Sequence, residues 1–168
     1  IGFPVVLKTL GLAHKTGANG LALGLSTPAE VEAAAPYLAD GPLLAERMVA
    51  GSLAEVLMGV TRDPAHGFVL TLGAGGTMTE VVRDRASLII PATRFEVTNL
   101  LKGLNIAPLL QGFRGNPPVD LNALLDAIDA VQAYVLANTD QVEEVEINPL
   151  ICTQQTAIAA DALIRKAR

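Results

Sequence analysis

The chain has 168 residues, of which 51% are apolar and only 4% aromatic, so its core must be built mainly from Ala, Leu and Val. A formal net charge of −5, with acidic and basic residues interspersed, excludes a broad basic face for nucleic acid. It leaves room for a small anionic ligand, which needs only a few local donors.

Cys152 is the single cysteine, which rules out an internal disulfide and suits a reducing, cytoplasmic compartment. No uninterrupted apolar stretch is long enough for a bilayer, and no secretory signal pattern is present. The chain opens directly at a strand, Ile1-Gly2-Phe3-Pro4, and reads as a piece of a longer protein.

In chain order, Phe3 to Lys8 reads as a short buried strand and residues 11–20, GLAHKTGANG, as a Gly-rich loop. Gly20 to Leu25 is a second strand. Thr27-Pro28-Ala29-Glu30 is a capping box with Pro at the first helical position, opening a helix to about Leu38. Strands are expected at 43–49 and 53–61, split by Ala50-Gly51, then at 67–72 after the Asp63-Pro64 turn. Extended chain should follow Gly73-Ala74-Gly75-Gly76 as far as Ile90. Thr93 and Glu96 form a second capping box, for a helix towards Leu104. Leu121, Leu124, Leu125, Ile128, Val131 and Val135 recur at helical spacing behind an Asp120 cap, which predicts a helix over 120–137. Two strands, 142–151 and 156–161, close the chain around a tight polar turn. Strands and helices mix without strict alternation, so the expected class is α+β with a largely antiparallel sheet and packed helices, in one compact unit spanning 1–168.

The C-terminal hairpin draws attention first. Alternation puts Val145 and Ile147 on one face and Glu144, Glu146 and Asn148 on the other. With the turn centred between Gln154 and Gln155, Asn148 falls opposite Asp161. Two carboxylates and an amide oxygen then share one patch of sheet, which calls for a cation or basic neighbours. A few hard oxygen ligands, completed by phosphate oxygens and water, suit Mg²⁺. The competing reading is a solvated strand face. Pro149 is expected to end the hydrogen-bonding run just beyond Asn148.

Other residues carry two readings each. Lys8 is either a surface lysine or a point charge for a phosphate. His14 is either a surface residue or an imidazole that accepts a phosphoryl group on a loop. His66, in Pro64-Ala65-His66-Gly67, reads as a turn residue. Gly73 to Gly76 could surround an anion with backbone N–H groups, although the run matches no phosphate-loop pattern. Glu46-Arg47-Met48-Val49 suits an adenine edge held by backbone groups, and equally suits any strand.

The ordered segments GFPVVLK, HKT, ERMV, EVLMGVTRDP, GAGGTMTE and EINPL followed by AADALI are together similar to the ATP-grasp domain of the NDP-forming acyl-CoA synthetases. These include the ADP-forming acetate–CoA ligases and are related to succinyl-CoA synthetase. The resemblance covers nearly the whole chain and implies the C-terminal part of an ATP-grasp fold, with an N-terminal portion missing. It implies acid + CoA + ATP ⇌ acyl-CoA + ADP + phosphate, through a phosphohistidine relay. On this resemblance Lys8 matches the lysine at the nucleotide phosphates. Glu46, Met48 and Val49 belong to the hinge that meets adenine, and Glu55 matches the acidic residue near the ribose. Asn148 and Asp161 match the Mg²⁺ ligands with Glu146 beside them, and His14 matches the histidine that passes phosphate to ADP. Arg114 matches a position to which no role is assigned. CoA-binding domains or an α-type subunit would supply the acid and acyl-CoA chemistry, with ATP or ADP and Mg²⁺ bound here. One departure stands out: Gly17 follows Thr16 where the family usually carries an acidic residue. That departure keeps open an alternative, a catalytically degenerate nucleotide-sensing module of the kind found within a protein acetyltransferase.

Overall fold

A computed structural model of the chain describes residues 1–11, 20–38, 40–76 and 79–167. The fold divides into two compact units, Ile1–Ala50 and Gly51–Arg168.

In the first unit, β1 (Val5–Thr9) is the middle strand of a three-stranded antiparallel sheet, between β2 (Leu21–Leu25) and β3 (Leu43–Arg47). All five residues of β1 are buried, as its apolar and β-branched sequence leads one to expect. Helix α1 (Pro28–Ala34) begins where its capping box predicts. The Thr27 hydroxyl accepts from the Glu30 N–H, and Pro stands in the first turn. A 3-10 turn, Ala35–Tyr37, carries it to its expected end.

The second unit is built on a six-stranded antiparallel sheet, five strands in the order β6-β5-β4-β7-β8 and the sixth, β9, also paired to β7. These are β4 (Ala54–Asp63), β5 (Gly67–Ala74), β6 (Arg85–Ile89), β7 (Val142–Cys152), β8 (Ala157–Ala159) and β9 (Ala162–Lys166). Among the described residues, four helices interrupt it: α2 (Thr79–Val82), α3 (Arg94–Gly103), α4 (Ala107–Gln111) and α5 (Leu121–Ala137). The core lies on one face of this sheet. Val56, Met58, Val60, Leu70, Leu72 and Leu150 from the strands pack in one cluster with Val97, Leu124, Ile128 and Val135 from α3 and α5.

The helix starts are set by side chains. Thr93 and Glu96 form the reciprocal capping box of α3, and Asp120 caps α5 by accepting from the Ala123 N–H at 3.0 Å. Gln132, buried on α5, brackets the chain ahead of α3. Its Oε1 accepts from the Ala92 N–H and its Nε2 donates to the Ala92 carbonyl. The stretch after the glycine run is not continuously extended as the sequence predicts. The short helix α2 intervenes before β6, and α4 follows α3 with no sequence signal beyond Pro108. Both are too short to show a periodicity. The start of α4 also lacks a local side-chain cap. Asp84 supplies it from a distance, accepting from the Asn105 and Ile106 N–H groups.

Candidate functional site

β7, the longest strand among the described residues, carries the acidic patch. It pairs with β4 on one side and, on the other, with β8 and then β9 in one register from Cys152 back to Glu144, which shifts only between Glu144 and Val142. Cys152 stands opposite Ala157 and Leu150 opposite Ala159; Ile147 faces Ala162 and Glu146 faces Leu163. The turn between β7 and β8 falls at Gln154-Gln155, closed by the Thr153 N–H donating to the Thr156 carbonyl at 2.8 Å. That register places Asp161 across from Asn148, and the Asn148 N–H donates to the Asp161 carbonyl at 3.2 Å.

Pro149 does not end the strand. Its carbonyl accepts from the Ala160 N–H, and β7 continues to Cys152. A missing N–H interrupts a ladder only on the side the nitrogen faces. What does change at this point is the pairing with β4. The register shifts between Val56 and Met58, so that Val56 faces Leu150 while Met58 faces Ile147, and Asn148-Pro149 form a bulge. The buried face of β7 accordingly switches from Val145 and Ile147 to Leu150 and Cys152. Glu144, Glu146 and Asn148 share the half-exposed face, as alternation predicts. Glu144 is matched there by Arg165 from β9, at 2.8 Å. Glu146 lies between Gly59 and Leu163 and has no hydrogen-bond or ion-pair partner among the described residues.

The glycine run is tied to this strand rather than opened to an anion. Ala74 donates to the Asp84 carbonyl, Gly75 to the Glu55 carbonyl, and Gly76 to Asn148 Oδ1 at 2.9 Å. Those three N–H groups are therefore taken. The glycines are needed for close approach: a Cβ at Gly75 would stand 2.6 Å from the Val56 carbonyl carbon, and one at Gly76 would collide with the Glu55 carboxylate. Sequence reading had no signal for this tie, because it joins residues far apart in the chain. Glu55 is exposed on β4, its carboxylate lying over Gly76.

In the first unit, Lys8 is buried on β1, with 7% of its surface exposed, and its ammonium group is ion-paired with Glu46 on β3. Glu46 stands opposite Val6, so the pair is the diagonal contact between side chains on one face of the sheet. The Met48 N–H donates to the Pro4 carbonyl at 3.0 Å. This makes Val6–Glu46 and Lys8–Leu44 hydrogen-bonded pairs and turns the backbone groups of Ala45 and Arg47 to the outer edge of β3. Val49 follows the strand, half-buried. Within the expected adenine hinge, Arg47 is thus the strand residue whose N–H and C=O face outward. Met48 keeps a carbonyl that Pro4, lacking an N–H, does not bond.

His14 lies outside the described residues. His66 is a turn residue, its Nδ1 at 2.8 Å from Asp63 Oδ1. That bond and the Ala65 and His66 N–H groups hold the Asp63 carboxyl below its ordinary range. Arg114 is exposed, with its guanidinium 5.2 Å from the centre of the Phe113 ring.

The donor chemistry around β7 fits a hard cation that the protein binds only in part. Among the described residues no group of three or more His, Cys, Asp or Glu is placed to hold a metal ion. The oxygens available are those of Asn148, Asp161 and the unpartnered Glu146, too few for an all-protein cage. A small set of carboxylate and amide oxygens, completed by phosphate and water, is the Mg²⁺ pattern.

These elements define an ATP-grasp domain: the family model described as "ATP-grasp domain" matches residues 1–165. The chain is 31% identical over 180 aligned positions to the ADP-forming acetate–CoA ligase II β subunit of Pyrococcus furiosus, covering 98% of this chain and 75% of that one. Two solved structures of the dinucleotide forming acetyl-coenzyme A synthetase 1 of Candidatus Korarchaeum cryptofilum have the same fold. One, in complex with coenzyme A and Ca-AMPCP, gives a TM-score of 0.86 at 29% identity over 99% of this chain and 78% of that one. The other holds coenzyme A and Mg-AMPPCP, with its phosphohistidine segment pointing towards the nucleotide binding site. It gives a TM-score of 0.83 at 31% identity, with the same coverage. The chain belongs to the ATP-grasp family of the ADP-forming acyl-CoA synthetases. No helix among the described residues is long and apolar enough to cross a membrane.

Proposed function

We propose that this chain is the nucleotide-binding part of an ADP-forming acyl-CoA synthetase, acting in acid + CoA + ATP ⇌ acyl-CoA + ADP + phosphate. The observation that supports it most is the register of the C-terminal hairpin, which sets Asp161 across from Asn148 beside an unpartnered Glu146. In this reading Asn148 and Asp161 are metal ligands with Glu146 in support, and Glu55 serves the ribose. Lys8 serves the phosphates, and the backbone of Glu46 to Val49 serves adenine. Mg²⁺ bound with the nucleotide would neutralise phosphate charge.

His14 is the phosphoryl carrier in this reading. Its imidazole nitrogen–phosphorus bond breaks as a β-phosphate oxygen of ADP forms the new bond, giving ATP and a free imidazole; the reverse step phosphorylates His14. Holding the phosphates in line is the task of Lys8. The Korarchaeum enzyme, with its phosphohistidine segment pointing towards the nucleotide binding site, supports a phosphohistidine relay in this family. CoA-binding domains or an α-type subunit supply the acid and thioester chemistry, in keeping with the β-subunit relative.

Incubating the full protein with Mg–ATP should give acid-labile phosphohistidine, and a His14→Asn variant should lose that label. Equal labelling in the variant would remove His14 from the relay. No label in the wild type would favour a sensing module without phosphoryl transfer.

A further inference from the structure

The ion pair between Lys8 and Glu46 is unequal. The Lys8 side chain is 9% exposed and that of Glu46 40%. The ammonium group thus sits inside and the carboxylate on its solvent side. A buried lysine needs a counter-charge, and Glu46 provides one in the absence of ligand. The position follows from the strand pairing, since Glu46 projects from β3 on the same sheet face as Lys8, one diagonal step away. An anion arriving from solvent therefore meets a carboxylate before it meets the ammonium group, and must compete with Glu46 for Lys8.

A bare polyphosphate has only its charge with which to displace that carboxylate, and the two anions repel each other. A nucleotide has a second attachment. Its base can dock on the outer edge of β3, where the backbone of Arg47 faces outward, on the same strand that carries Glu46. We propose that Glu46 is a specificity-determining residue: its carboxylate closes Lys8 to bare phosphate and pyrophosphate and yields it to a phosphate chain carried on a base seated against β3. This rests on the nucleotide reading given above and adds to it a role for the Glu46 side chain, beyond the backbone of its strand.

The test is calorimetry on the full protein at fixed Mg²⁺, with ADP and pyrophosphate as the two ligands. Glu46→Gln keeps the size of the side chain and removes its charge. Pyrophosphate should bind on the order of tenfold more tightly to this variant, a discounted effect because the carboxylate is partly solvated. ADP should gain less, so the preference for ADP over pyrophosphate shrinks. Adding Lys8→Met to Glu46→Gln should abolish the gain. If Glu46 only props up Lys8, both ligands would instead weaken together in Glu46→Gln. Unchanged or weaker pyrophosphate binding, with ADP binding intact in the wild type, overturns the proposal alone. A wild type that binds no Mg–ADP overturns the nucleotide reading, and the proposal with it. Should Glu46→Gln not fold, Glu46→Asp, whose shorter side chain withdraws the charge from Lys8, carries the same test with a smaller gain expected.

Discussion

Asp161 has separable backbone and side-chain duties, and this makes it a clean site to alter. Its carbonyl accepts the Asn148 N–H and so holds the register of the hairpin, while its Oδ1 accepts from the N–H of its neighbour Ala162. Truncation to Ala leaves the backbone bond in place. Asp161→Ala should weaken ADP binding in the presence of Mg²⁺ far more than in its absence, removing most of the affinity that Mg²⁺ brings, tenfold or more. Titrating ADP with and without Mg²⁺ separates the two; equal weakening in both would make Asp161 structural. Asn148 is less simple to interpret, because its Oδ1 already receives the Gly76 N–H. A carbonyl oxygen has two lone pairs, so this bond orients the amide without excluding a cation.

At the scale of elements, the entry to α3 links a cap to a carboxylate. The Glu96 carboxyl is held below its ordinary 4.5, first by the Thr93 hydroxyl and then by the Thr93 N–H. Because the folded value is the lower one, this contribution is present above the unfolded value and is lost as pH falls through the folded one. Thr93→Ala should cost about 1 kcal/mol at neutral pH, the usual worth of an N-cap. The gap in melting temperature between variant and wild type should narrow as the pH is taken below 4.5 towards the folded value of Glu96. A gap constant across that range would show that the cap acts without the carboxylate.

These caps were legible in the sequence because Thr93, Glu96 and Asp120 act within one helical turn. The hairpin register was legible for a similar reason: a tight turn plus alternation leaves little freedom. The bulge at Asn148-Pro149 was not, since it depends on how β4 lies alongside. Nor was the Lys8–Glu46 pair, which exists only once β3 has paired with β1 across the helix between them. The glycine run was seen, but its N–H groups bond partners on β4, β7 and the approach to β6, which no local pattern reveals.

For the whole molecule, the two units differ in what could sustain them. The connected core of buried residues, from Ala54 to Cys152, lies wholly within 51–168. In 1–50 the buried apolar side chains among the described residues are Val5, Val6 and Leu7, all on β1. So small an apolar set does not offset the entropy of ordering the chain. Expressed separately, 51–168 should melt cooperatively by circular dichroism, whereas 1–50 should show no transition. A folded 1–50 would mean that its three-stranded sheet is more self-sufficient than its burial suggests.

The register that β7 keeps with β8 and β9 from Cys152 back to Glu144 also says which kinds of change this protein can absorb as its sequence drifts. The turn is locked at its present length by Thr153, whose Oγ1 accepts from the Gln155 and Thr156 N–H groups. Substitutions at Gln154 or Gln155 leave every pair downstream where it is. One inserted residue would slide all of them together, bringing Ala160 opposite Asn148 and turning Asp161 to the other face. The hairpin would survive and the acidic patch would not, so what must be inherited at this turn is a length rather than a sequence.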